Sequence, residues 1–180
     1  MINAHRSLIV AASVLLVILI VLYASNIAGE NKERQRFIGK VFRSIENSIR
    51  CIDGYFTHPD TFSYIEECGL HLMSLYFTID YSNNISSPYA ITFELAGKHL
   101  LLNHNPHRYG MLDDGIVSDS EEELLRELAI ALRGLLMQFA VNDNTYKANE
   151  DLSYVQINAI LRGYHLDFFH NDYFMQYFFP

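Results

Sequence analysis

Cysteine is scarce, and the short motifs that announce catalysis are missing. Cys51 and Cys68 are the only two cysteines in 180 residues, too few for a disulfide scaffold. Both fall in apolar helical patterns, where a buried free thiol is the expected state. A single Cys51–Cys68 bridge would need the oxidising side of a membrane. The sequence holds no CxxC pair, no HExxH, no GxSxG elbow and no phosphate-cradling glycine loop, so no motif names a reaction. It also has no internal repeat and no low-complexity tract.

Basic charge is scarce beyond the first third of the chain. Residues 57–180 carry six Lys and Arg against seventeen Asp and Glu, a net of −11, whereas residues 1–56 carry a net of +3. An acidic body repels phosphate backbones, so nucleic acid is not an expected partner.

What is present begins with SLIVAASVLLVILIVLYA, Ser7 to Ala24, a run without charge. At about 1.5 Å of rise per residue it spans about 27 Å as a helix, close to the hydrocarbon thickness of a bilayer. A helix also satisfies its own backbone polar groups in lipid. The expectation is a transmembrane helix over residues 7–24, after a short tail (1–6) and before a polar spacer (25–31). A cleaved signal sequence is the alternative. It would have an apolar core of about 7–15 residues and an A-x-A-like cleavage site. Here a cut after Ala24 would leave Leu22 at the −3 position, and a cut after Ala28 would leave Asn26 there. An uncleaved signal-anchor fits better, giving a single-pass protein of the cell membrane with the bilayer as its first partner.

Two indicators of membrane side disagree. Lys32, Arg34, Arg36, Lys40 and Arg43 lie after the apolar run, and only Arg6 precedes it. That excess, counted within about 20 residues of the span, favours a cytoplasmic domain. A short cationic tail before a long apolar run is also how an N-in anchor begins, and such an anchor exports the domain on its C-terminal side. The basic count favours the cytoplasmic side, and both remain open.

Residues 32–180 are expected to form one mainly α-helical domain of four or five helices. In KERQRFIGKVFRSIENSIRCIDGYF the residues Phe37, Ile38, Val41, Phe42, Ile45, Ile49, Ile52, Tyr55 and Phe56 fall within one arc of about 140°. Lys32, Arg36, Lys40, Arg43 and Arg50 gather opposite, a stripe suited to a membrane surface of anionic headgroups or to plain solvation. Thr57, Pro59 and Asp60 suggest a helix start near residue 59. Residues 89–104 are ambiguous: helical spacing favours a helix, and a small antiparallel hairpin turning at Gly97-Lys98 is the α+β alternative. The segment 118–139 carries the strongest stripe (Leu124, Leu125, Leu128, Leu132, Leu135, Leu136 and Phe139), with Ser118 or Ser120 as cap. Its back is not fully polar, since Ile130, Gly134 and Met137 cluster there.

Two clusters could carry function. His99, His104, His107, Asp113 and Asp114 include ligand types that zinc or iron accepts. Pro106 disfavours the helical geometry that would bring His104 and His107 together. A metal- or ligand-binding sensor or hydrolase built around residues 99–114, with His104, His107 and Asp113 as ligands, is the alternative function. No metal and no cofactor are the primary expectation.

The second cluster is the C-terminal GYHLDFFHNDYFMQYFFP. As one helix it places Leu161, Tyr164, Phe168, Met175, Phe178 and Phe179 on one face, and Leu166, Phe169, Tyr173 and Tyr177 on the other. His165 and Asp172 are about 10 Å apart along such a helix, too far to share a metal alone. Asp167 and His170 are within local reach. Two opposed aromatic faces imply a central helix or an exposed contact surface. The preferred expectation is a non-enzymatic, membrane-anchored accessory or interaction protein. Leu166, Phe169, Tyr173 and Tyr177 would dock a protein partner or a second copy in a homo-oligomer.

Overall fold

A computed structural model describes residues 2–101, 116–141 and 147–178. The chain divides into two units, Met1–Arg36 and Phe37–Pro180.

The first unit belongs to helix α1, whose bounds are Ile2–Thr57. Among the described residues, this is the one helix long and apolar enough to cross a membrane. Every residue from Val14 to Tyr23 is exposed, Tyr23 at 70%. The stretch 25–31, expected as a spacer, is helical. Ala24, Ala28 and Glu30 are strong helix formers, and Gly29 alone is costly, at about 1 kcal/mol. One such residue does not outweigh propagation through its neighbours.

The second unit contains the remainder of α1 from Phe37, then α2 (Ser63–Asp80), a 3-10 helix (Ser87–Ala90), α3 (Ile91–Leu101), α4 (Asp119–Phe139), α5 (Tyr154–His170) and α6 (Asp172–Phe178). Among the described residues there is no strand beyond an isolated antiparallel bridge between Ala140 and Ala148. The mainly α expectation therefore holds.

The hairpin alternative gives way at Tyr89–Leu101, which is 3-10 and then α-helical; residues 102–104 lie outside the described set. Phe93, Ala96, Gly97 and Leu100 are buried together, and their spacing requires the helical period. Gly97 makes no turn. A Cβ placed there would lie 3.1 Å from Gly69 O and 3.1 Å from Met73 N, and one on Gly69 would lie 3.1 Å from Gly97 O. At the two glycines the backbones of α2 and α3 approach closely.

The core follows the arcs seen in the sequence. Phe37, Ile38, Val41, Phe42, Ile45, Ile49, Ile52 and Tyr55 of α1 are buried, as are Ile65, Cys68, Leu72, Leu75 and Ile79 of α2. Leu124, Leu125, Leu128, Leu132, Leu135 and Phe139 of α4 complete the stripe. Phe56 is only half-buried, with the Arg126 guanidinium 4.3 Å above its ring. Arg133 pairs with Asp53, and Tyr55 Oη donates to Glu122 at 3.3 Å, tying α1 to α4. Exposed ion pairs contribute at most about 1 kcal/mol, so the buried apolar stripes hold these helices together.

One helix end departs from expectation. Thr57 ends α1, its Oγ1 donating to Asp53 O at 2.9 Å, so α2 starts at Ser63 rather than near Pro59. Ser153, with Gln156, forms the capping box of α5. Just before it, Asn149 Oδ1 accepts from Asp151 N at 3.2 Å. Ser118 caps α4 with Glu121 as its reciprocal partner.

Cys51 and Cys68 are free and buried. Burial, with the Glu67 carboxylate beside it, pushes the Cys51 thiol up to about 11. Burial raises Cys68 as well. A thiol so shifted is a poor nucleophile.

Candidate functional site

The C-terminal aromatics are distributed by a break that spacing alone did not locate. α5 ends at His170, Asn171 takes φ −79° and ψ 108°, and α6 restarts at Asp172. Gly163 lies inside α5. The extended ψ of Asn171 resets the helical phase, so residues after it do not continue the faces of α5. Phe174, which belonged to neither face of a single helix, becomes buried and stacks on Phe168 with centroids 4.5 Å apart. Tyr164 stacks on Phe93 of α3 at 5.1 Å and 3°, and Phe168 lies 6.4 Å from Tyr164. Phe93, Tyr164, Phe168 and Phe174 thus form an interior aromatic column joining α3, α5 and α6.

The opposite set lies nearer the surface. Leu166 is 41% exposed. Phe169 and Tyr177 are half-buried against the core. The side chain of Tyr173 lies outside the described residues. Tyr177 meets His99 of α3 edge-on at 5.1 Å, and Phe169 packs against His165 at 4.7 Å. The domain's own histidines therefore cover part of the face that these four residues would share on a single helix.

The polar residues of the tail do not converge. His170 Nδ1 lies 2.8 Å from Leu166 O, a backbone bond rather than a contact with Asp167. His104, His107, Asp113 and Asp114 lie outside the described residues. No group of three metal-ligating side chains occurs among the described residues.

His165 sits between the Tyr89 and Phe169 rings, at 5.7 and 4.7 Å. Its Nδ1 is buried with no hydrogen-bond partner among the described residues, and burial lowers its pKa from the ordinary 6.5. The folded domain therefore takes up this proton less readily than the unfolded chain. Its stability is full above about pH 6.5 and falls as the pH drops through that value toward the lower folded pKa. Replacing His165 with Phe should flatten this acid limb. Unfolding midpoints of wild type and variant, measured from about pH 7.5 to 5, check it; parallel curves would contradict it.

Lys32, Arg36, Lys40 and Arg43 are all exposed. Arg43 Nε donates to Gly39 O at 3.2 Å. Apolar exposure not singled out from the sequence appears at the end of α2, where Phe77 and Tyr81, the residue just past the helix, stack on one another at 6.0 Å. Their i, i+4 spacing, away from Leu72, Leu75 and Ile79, was the available signal. On α4, Ile130 and Met137 are 60% and 57% exposed. Comparison of the chain with protein-family models, with curated proteins and with solved structures finds no match.

Proposed function

We propose that this chain is a membrane-anchored accessory protein, non-enzymatic, whose helical domain docks a protein partner. The observation that carries the proposal is the charge-free run of α1, exposed from Val14 to Tyr23. In water such a patch is an aggregation hazard; in a bilayer it is an anchor. Anchoring raises the effective concentration of the domain near a partner in the same membrane. Lys32, Arg36, Lys40 and Arg43 suit anionic headgroups at about 1 kcal/mol each, and the same excess favours the cytoplasmic side.

In this reading the partner contact includes Leu166 and the outward edges of Phe169 and Tyr177, with Tyr173 as the fourth residue of the expected set. Aromatic anchors with an apolar neighbour are the composition of an interface centre. Leu166→Asp tests the contact at an exposed position. Proximity labelling from a tag after Pro180, in cells that make the protein, should show one membrane protein losing about tenfold of its label. An unchanged labelling pattern would remove the C-terminal surface from the proposal.

A further inference from the structure

We propose that the outward face of α4 is a second docking surface, and that its occupant is an amphipathic helix with basic residues beyond one end of its apolar stripe. The inner side of α4 is already occupied: Leu125, Leu128, Leu132, Leu135 and Phe139 are buried in the domain core. Ile130, Gly134 and Met137 point away from it. Their spacing of four and three places them within about 60° of arc, and all three are exposed. Gly134 costs the helix about 1 kcal/mol relative to Ala, yet a Cβ there would meet nothing within 4 Å. Among the described residues no contact uses the missing side chain. A helix laid across Ile130 and Met137 would approach closest at that glycine, as ridges pack into grooves.

Charge selects the occupant. The same face continues toward the N-terminus of α4 through Asp119, Glu123 and Glu127, spaced by four. Its cations are already engaged: Arg126 with Glu122, Glu123 and the Phe56 ring, and Arg133 with Asp53. Asp119 and Glu127 make no ion pair among the described residues. The uncommitted charge beside the apolar stripe is therefore negative. A second copy of this chain would bring residues 57–180 at a net of −11 against the same acids, which disfavours it. A helix with Lys or Arg past one end of an apolar stripe meets both halves of the face. The proposal rests on the domain being an interaction module, but uses a different surface from the C-terminal one.

The test uses the full chain in nanodiscs of zwitterionic lipid, so that basic probes do not adhere to the bilayer. Two labelled helical peptides of roughly 18 residues (about five turns) share one leucine stripe. One ends in lysines, the other in glutamates. Fluorescence anisotropy should show the lysine peptide binding about tenfold or more tightly than the glutamate one. Met137→Glu should abolish that binding, whereas Leu166→Asp should leave it unchanged. The double change Glu123→Lys, Glu127→Lys should invert the preference. Equal binding of the two peptides, or binding indifferent to Met137→Glu, overturns the proposal. Self-association of the chain that Met137→Glu removes overturns it in favour of a second copy. Loss of binding through Leu166→Asp alone would place the site on the C-terminal surface instead.

Discussion

Replacing Phe93 with Ala is expected to destabilise the helical domain by about 3–5 kcal/mol, the range for deleting a buried aromatic ring. Phe93 is 1% exposed and lies nearly parallel to the Tyr164 ring, with centroids 5.1 Å apart. The loss therefore includes burial, a cavity and an aromatic pair worth about 0.5–1.5 kcal/mol. Ile91, two residues earlier, is 41% exposed, and Ile91→Ala should change stability by about 0.5 kcal/mol or less. The pair also tests the conformation of the segment. In a strand, residues 91 and 93 point to the same side and would be felt alike. On α3 only Phe93 faces the core. Denaturant midpoints of the full chain in micelles separate the two outcomes.

The second large effect is expected at Gly97. Val there would push its Cβ against Met73 N and Gly69 O, each 3.1 Å away, and its two methyl groups further. Backbone atoms of a neighbouring helix cannot step aside as a side-chain end can. Separating α2 from α3 should cost about 3 kcal/mol, at the upper end for overpacking. Gly163 in α5 is the contrast, because a Cβ there meets nothing within 4 Å. Gly163→Ala should stabilise the domain by about 0.5–1 kcal/mol through helix propensity alone. Thermal or denaturant unfolding of both variants checks the opposite signs; stabilisation by Gly97→Val would mean the helices do not meet there.

Helical periodicity was legible wherever one face of a helix met one core. The arc from Phe37 to Tyr55 and the stripe from Leu124 to Phe139 are buried as their spacing predicts, apart from Leu136, which is half-buried. Helix ends were less legible, because they depend on what the chain meets in space. Thr57 has the residue type and spacing of a helix start and is the end of one. Residues 25–31 have the polarity of a spacer, yet they lie inside α1, carried by propagation from the helix on either side. Gly97 resembles a turn because one glycine in a sequence does not reveal a facing Gly69.

The C-terminal segment resists prediction for a related reason. Projecting one helix through Asn171 adds 100° per residue across a position whose ψ is 108°. Every face assignment after it is displaced, so the burial of Phe174 is hidden from the projection. Leu166, before the break, is expected on an outward face and is exposed. That His99 of α3 would lie against Tyr177 depends on tertiary packing, which spacing within one helix does not contain.

In the proposed function the charge-free stretch of α1 remains on the chain and holds it in lipid. Alkaline extraction of membranes containing the untagged protein, with intact-mass measurement of the pelleted chain, tests it most directly. An anchored chain stays in the pellet with residues 7–24 uncut. Release into the supernatant, or a mature chain beginning beyond residue 24, would contradict it.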